Sequence, residues 1–195
     1  MNTCLILETA STSPFILLKT PENTEFTPLI DGPGLSKNIH KNISALLSKV
    51  SLTLQDLNTI ALGIGPGSYT GLRVGAAIAK TLSFSLKIPI IPFYSLEAFI
   101  PEKTENFWIL SSARSRGLYA LKGNNNILSK PRVLSHKTFL ALRQENAPLF
   151  SFDQKLIDQY PQQIKRTSLN LNYLLLYLEK NLNKEFHKQI ELSYP

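Results

Sequence analysis

The sequence predicts an α/β fold with a first lobe over residues 1–100, in the order βββαβα, and a shortened second lobe over residues 101–195 that ends in a helix. Three features predict it. Short apolar runs open the chain, two stretches of helical apolar spacing flank a buried strand, and a turn-rich segment at 101–106 precedes a second set of elements. With 195 residues and 43% hydrophobic content, the chain can bury a sizeable core.

Three short strands are predicted at the start of the chain, over residues 4–8, 15–19 and 25–30. Turn-forming residues separate them, so we expect an antiparallel meander. The lone thiol, Cys4, lies in the first strand. Without a second cysteine it can form no intrachain disulfide, and we interpret it as a core residue.

A helix is predicted after the turn at residues 31–34, with Ser36 as its N-cap. Its apolar residues recur at the spacing of one helical face: Ile39, Ile43, Leu46, Leu47 and Val50.

A buried strand over residues 59–64 and a turn at Gly65-Pro66-Gly67 lead into a second predicted helix. The strand 88–93 follows, and Ser95 is predicted to cap a short helix that ends at Phe99. The apolar face of the second helix consists of Leu72, Ala76, Ala79, Ser83 and Leu86. The order strand, strand, strand, helix, strand, helix, strand is that of a ribonuclease-H-like or actin-like half.

The second lobe is predicted to contain strands at 107–113 and 118–121 and helices at 137–145 and 168–182. The last helix is too rich in leucine to stand in water, so it must dock onto the rest of the chain. No apolar stretch approaches the roughly 20 residues of a membrane span, and we expect a cytoplasmic protein with no membrane association.

The net charge of +7 is concentrated in residues 101–195. Seven basic residues and no acid lie between Glu105 and Glu145: Arg114, Arg116, Lys122, Lys130, Arg132, Lys137 and Arg143. This distribution favours a polyanionic partner. An ordinary solvated surface on a basic protein explains it equally well, because charge asymmetry alone gives no specificity.

The glycine-rich segment 63–75 joins a strand end, a turn and a helix start. Backbone amides at such a helix start can hold an anion. The known phosphate motifs do not fit, because a dinucleotide fingerprint from Gly65 would need glycine at Thr70 and a Walker loop would need Gly-Lys-Ser/Thr. Alternatively, Gly71 and Gly75 serve close helix packing.

Segment 65–80, GPGSYTGLRVGAAIAK, resembles the signature of the TsaB family, also called YeaZ. Segments 7–10, 94–98 and 113–119 resemble further motifs of that family, and together the matches cover most of residues 4–121. Two positions depart from the family pattern. Glu8 replaces a usual Asp and Ser112 stands where an Asp is usual, which leaves any phosphate or metal role of these positions unsupported.

The resemblance implies an actin-like (ASKHA, ribonuclease-H-like) fold. It also implies a non-catalytic subunit, without a cofactor of its own, of a complex that adds threonylcarbamoyl to an adenosine of tRNAs that read ANN codons. The other subunits of that complex would be the catalytic paralogue TsaD and the ATPase TsaE. In the family, the helices corresponding to residues 35–50 and to the segment from about 68 form the surface that pairs with TsaD or with a second copy.

We therefore expect a partner interface made by residues of those two helices: Ile39, Ile43, Leu46, Val50, Gly71, Leu72, Gly75 and Ala79. The expected tRNA-facing residues are Arg114, Arg116, Lys130, Arg132, Lys137 and Arg143. A competing interpretation places the helix residues in the core, because each helix must also cover the sheet and periodicity does not say which stripe faces a partner.

Two enzyme interpretations and a plain interaction module outside tRNA modification are the alternatives. A glycoprotease-like peptidase would need metal ligands, but His40, His136 and His187 are far apart and no His-Glu-x-x-His run exists. A free-standing actin-like-fold kinase would need carboxylates for magnesium, and Glu8 is the one carboxylate near the first turn. No catalytic or metal residue is therefore assigned.

Overall fold

The computed structural model describes residues 2–30, 34–124, 127–142, 147–182 and 191–193, with the backbone alone of Arg114. The first of its two sheets has the strand order β3-β2-β1-β4-β5. Strands β1 to β3 pair antiparallel, whereas β4 and β5 run parallel to β1. The predicted meander is therefore confirmed. The strands are β1 (Cys4–Glu8), β2 (Phe15–Lys19), β3 (Thr24–Pro28), β4 (Thr59–Gly63) and β5 (Ile90–Phe93).

Two long helices, α1 (Leu35–Lys49) and α2 (Tyr69–Leu86), follow β3 and β4 and cover one face of this sheet. Because successive side chains of a strand point to opposite faces, Leu5 and Leu7 meet the helices. Cys4 and Ile6 point the other way, into the second core. Burial raises the pKa of the Cys4 thiol to about 12, which fits a structural residue.

The second sheet has the order β11-β10-β6-β7-β8, and β9 pairs with β7. Helices α3 (His136–Leu142) and α4 (Gln154–Gln159) pack against it. Its strands are β6 (Asn106–Ser112), β7 (Leu118–Asn124), β8 (Ile127–Leu128), β9 (Arg132–Leu134), β10 (Leu149–Ser151) and β11 (Ile164–Arg166). The sequence prediction missed β8 to β11 and α4, since elements of two to six residues are too short to show a period.

A shared apolar core lies between the two sheets and includes the last helix, α5 (Leu171–Asn181). Leu174 and Leu178 of α5 are fully buried in it, so the predicted docking of this helix is confirmed. The ring of Phe99 stacks on that of Phe152 at 3.8 Å between centroids and joins the two halves of the chain.

The predictions that Ser36 and Ser95 are helix N-caps are both wrong. Gly34, not Ser36, is the N-cap of α1, and it makes no side-chain cap bond. Tyr94 precedes the short 3-10 helix Ser95–Phe99, while Ser95 is buried and its Oγ accepts from the Gly65 N–H at 3.1 Å. Ser95 therefore holds the glycine loop. Within the described part of the chain, no helix is both long and apolar enough to cross a bilayer.

Candidate functional site

The glycine-rich loop brings α2 against the turn that follows β1. An ideal Cβ on Gly71 would overlap the Thr9 carbonyl oxygen, and one on Gly75 would overlap Thr9 Oγ1. The Thr9 hydroxyl donates to the Gly71 carbonyl at 2.7 Å, so the two segments are in direct contact. Gly65 has a φ of +94°, which favours glycine. Here the structure supports the close-packing interpretation of these glycines.

The residues predicted to form the partner interface lie in the chain's own core. Ile39, Leu72 and Ala79 are fully buried, and Val50 is half-buried. Ile43, Leu46, Gly71 and Gly75 are buried as well: they pack on the first sheet or on the turn after β1. The structure therefore favours the core interpretation of these residues, because the apolar stripe of each helix covers the sheet. Ile43 also lines the groove on the other side of the helices.

The opposite side of the two helices is exposed and carries a groove of about 300 Å³. Arg73, Ala77, Thr81 and Phe84 follow one another along one side of α2 and are exposed, with Phe84 at 87%. From α1, His40 and Ser44 line the groove. We call this surface the outer helix face, and define it by His40, Ser44, Arg73, Ala77, Thr81 and Phe84.

Glu8 is fully buried behind the first turn and does not line the cleft described below. Its Oε1 accepts from the N–H groups of Ala10 at 2.8 Å and Ser11 at 2.7 Å. Burial raises the pKa of the Glu8 carboxyl, and contacts with Ser95 and these N–H groups oppose the shift only in part. A carboxyl held this way braces the turn and lies away from the cleft.

A cleft of about 840 Å³ opens between the first turn and the second sheet. Among the side chains that the structure describes, the cationic ones that line it are Arg116, Lys155 and Arg166. Asp153, the acidic residue of this described lining, is buried and accepts from the N–H groups of Ser112 at 3.1 Å and Lys155 at 3.2 Å. The hydroxyl groups on its wall include those of Ser11, Thr12, Ser13, Ser68, Ser115 and Tyr119.

Sequence reasoning missed Lys155 and Arg166 as cleft residues, because α4 and β11 were not recognised as elements. The one available signal was the basic excess of the second half of the chain, which does not say where each charge lies. Arg116 was predicted to face tRNA, and the structure places it in the cleft.

The other predicted tRNA-facing residues lie on neighbouring elements of the second sheet. Lys130, Arg132 and Lys137 are exposed, and the Arg132 guanidinium lies 5.1 Å from the centroid of the Trp108 ring. Arg143 and the side chain of Arg114 lie outside the described part of the structure. We call Lys130, Arg132 and Lys137 the basic patch.

No group of three or more His, Cys, Asp and Glu side chains that could hold a metal ion occurs among the residues with a described placement. His40 lines the groove of the outer helix face, and His136 is exposed at the start of α3. His187 is not among the described residues.

Comparison with known proteins gives a consistent result. Residues 26–148 match the family model described as TsaD, tRNA N6-adenosine threonylcarbamoyltransferase. The tRNA threonylcarbamoyladenosine biosynthesis protein TsaB of Haemophilus influenzae is 34% identical over 123 residues, which cover 60% of this chain and 52% of that protein. The protein of the same name from Bacillus subtilis is 49% identical over 55 residues, 28% of this chain and 24% of the relative.

The matched region thus spans about half the length of the curated relatives, or less. Among solved structures, YeaZ from Pseudomonas aeruginosa superposes with a TM-score of 0.73 at 18% identity and covers 93% of each chain. At that identity the likeness shows the fold, and it agrees with the predicted actin-like α/β architecture.

Proposed function

The chain belongs to the family whose model is described as TsaD, tRNA N6-adenosine threonylcarbamoyltransferase, as a TsaB (YeaZ)-type member, and we propose that it is a non-catalytic subunit in tRNA threonylcarbamoyladenosine biosynthesis. In this proposal it pairs with a TsaD-type catalytic subunit and works with a TsaE-type ATPase on tRNA. It contributes a surface to the complex and brings no cofactor of its own.

The proposed partner role rests on the outer helix face. Helix α2 buries its small and apolar residues against the first sheet, yet Phe84 on the other side is 87% exposed. A groove whose lining includes Ala77, Ile78 and Leu82 runs along the same two helices, so the face is concave and its groove is largely apolar. An exposed aromatic side chain near an apolar groove suits a protein partner better than it suits water.

The structural surroundings of Glu8 and Ser112, the two positions that depart from the family pattern, support the non-catalytic role. Glu8 turns its carboxyl into the protein, where it holds the backbone of residues 10 and 11. Ser112 carries no charge, and its N–H donates to the buried Asp153. Neither position offers a free carboxylate to a metal or to a reacting group.

Ala77→Arg tests the partner surface, because it puts a long charged side chain at an exposed position of the outer helix face. We expect the variant to fold, since exposed substitutions usually change stability by no more than about 0.5 kcal/mol. Co-expression with the cognate TsaD-type protein should then recover at least about tenfold less complex than wild type. The matched control is Asn172→Arg at an exposed position of α5, which should pair normally.

Gly75→Arg distinguishes surface from core on the same helix. Its side chain would collide with Thr9 Oγ1 and with Leu62 Cδ1, so the chain should fail to fold. A folded Ala77→Arg protein that pairs with the TsaD-type subunit as well as wild type does would refute the proposed interface. Sizing of the isolated wild-type chain and of the isolated Ala77→Arg variant reports in addition whether a second copy occupies the same face.

A further inference from the structure

The groove of the outer helix face is bordered by positive charges on its α1 side. The exposed Lys37 lies three residues before His40, which lines the groove. The exposed Lys41 lies three residues before Ser44, which lines it as well. Residues three or four apart are neighbours on a helix surface, so the two lysines form a row along the edge of the groove.

The α2 side of the groove is bordered in the same way by Arg73 and Lys80, which are both exposed. Ala77, which lines the groove, lies four residues after Arg73 and three residues before Lys80. The Arg73 guanidinium lies 4.5 Å from the centroid of the Tyr69 ring, so this charge is held in place on the helix surface. We define the cationic rim as Lys37, Lys41, Arg73 and Lys80.

The two helices that form this face carry no acidic residue. Residues 34–55 and residues 57–96 contain no Asp or Glu at all. Asp56 follows Leu54 of the groove, but its carboxylate accepts from the N–H of Thr53 at 2.7 Å and from the Thr53 hydroxyl at 2.8 Å. Within the described part of the chain, no carboxylate forms an ion pair with a residue of the cationic rim. The face therefore presents four positive charges around a largely apolar groove.

We propose that the outer helix face selects a partner whose matching helix surface carries carboxylates around an apolar ridge, and that it disfavours a second copy of this chain. The inference rests on the proposed function, because it names the chemistry of the subunit that would occupy this face. Opposite charges at the edge of an apolar contact steer the two proteins together and suppress wrong partners. The groove supplies the apolar contact area, and the cationic rim supplies the selection.

A second copy would bring like charges together on this face. A two-fold contact uses the same surface on both sides, so the cationic rim of one copy would face that of the other. Like charges set against each other across an interface destabilise it, and salt screens their repulsion. Added salt should therefore strengthen pairing with a second copy and weaken pairing with an acidic partner.

Association kinetics of the full chain with the cognate TsaD-type protein, measured at about 50 mM and about 500 mM NaCl, test this selection. We expect the association rate constant to fall about tenfold or more at the higher salt concentration, as electrostatically steered association does. Lys41→Glu combined with Lys80→Glu should lower the rate constant at low salt about tenfold or more and remove most of its salt dependence. Lys41→Gln combined with Lys80→Gln, which removes the two charges without reversing them, should give an intermediate rate.

The matched control is Lys165→Glu combined with Lys180→Glu. Both positions are exposed and lie outside α1 and α2, and the net charge changes by the same amount as in the glutamate variant of the rim. This control should keep the salt dependence of the wild type. Thermal melting of each variant shows that it is folded, and sizing of the isolated chain should give a larger share of dimer at high salt than at low salt if a dimer forms.

Two results would overturn this inference and leave the partner role in place. One is an association rate that neither salt nor the two rim variants change. The other is a dimer of the isolated chain that is stable at low salt and lost in Ala77→Arg, since a second copy would then occupy the face. Absence of a complex with the TsaD-type protein at both salt concentrations would overturn the proposed function and this inference together. Fast association at low salt that is lost in the rim variants and kept in the control supports it.

Discussion

The carboxyl group of Glu8 occupies the space in which a side chain on Gly63 would begin. An ideal Cβ on Gly63 would overlap Glu8 Oε2 and lie 2.9 Å from Glu8 Cδ. The N–H groups of Ala10 and Ser11 hold the other carboxyl oxygen, so the group has little freedom to move. The longer arm of glutamate at this position therefore fits because residue 63 has no side chain.

Gly63→Ala should destabilise the protein by about 1–3 kcal/mol, because it overpacks a fully buried site. Adding Glu8→Asp shortens the carboxylate by one methylene and should recover part of the loss, with a coupling of about 0.5–3 kcal/mol between the two positions. Urea unfolding of the two single variants and the double variant measures this coupling. Strictly additive effects would show that the two residues do not compete for the same space.

Glu97 should make stability depend on pH. Burial raises the pKa of its carboxyl to about 7, opposed in part by the Tyr94 N–H, which donates to Oε2 at 3.0 Å. The folded state thus favours the protonated form, and this stabilisation is lost as pH rises from about 4.5 through about 7. The free energy of unfolding can fall by about 3 kcal/mol, because a pKa shift of one unit corresponds to about 1.36 kcal/mol.

Glu97→Gln should therefore flatten the stability profile between pH 5 and pH 8, measured by urea unfolding across that range. The difference between the two profiles isolates Glu97, because the buried Glu8, whose pKa is also raised, titrates in both proteins. Glu102→Gln, at an exposed position, is the matched control and should keep the wild-type slope. An unchanged slope in Glu97→Gln would contradict the assignment.

Asn170 fastens α5 to the rest of the chain. Its Oδ1 accepts from the Tyr173 N–H at 2.9 Å, and its side-chain nitrogen donates to the Ile100 carbonyl at 2.9 Å. Asn170→Ala removes the cap and leaves a buried carbonyl without that donor, so we expect a loss of about 1–3 kcal/mol in thermal or urea unfolding. Asn172→Ala, in the exposed part of the same turn, should change stability by no more than about 0.5 kcal/mol. Equal losses in the two variants would contradict a specific role of the Asn170 side chain, because helix propensity by itself favours alanine over asparagine.

The basic patch should contribute to tRNA binding by the assembled complex. Charge reversal with Lys130→Glu and Lys137→Glu should weaken binding and reduce its salt dependence, because each phosphate contact releases a counterion. Arg132 is left in place, since its guanidinium also packs over the Trp108 ring. Lys180→Glu on α5 is the matched charge reversal outside the patch. Titrations at two salt concentrations that match wild type would exclude this role.

The sequence by itself determined the element order of the first lobe. The strands β1 and β2 begin and end where their apolar runs predict, and both long helices start within a residue or two of the predicted positions. These signals are local, because the period of a strand or a helix is visible within about ten residues. The glycine-rich segment and its neighbours likewise carried the family resemblance without any structure.

Tertiary structure alone decided which side of each helix is buried and which charges meet in one cleft. The stripe of Ile39 and Ile43 was visible in the sequence, but only the packing on the sheet shows that it is core and that Ala77 and Phe84 are surface. Arg116, Lys155 and Arg166 are distant along the chain and come from elements of six residues or fewer. No local pattern connects them, because the pairing of β11 with β10 and of β10 with β6 inside the second sheet brings them together.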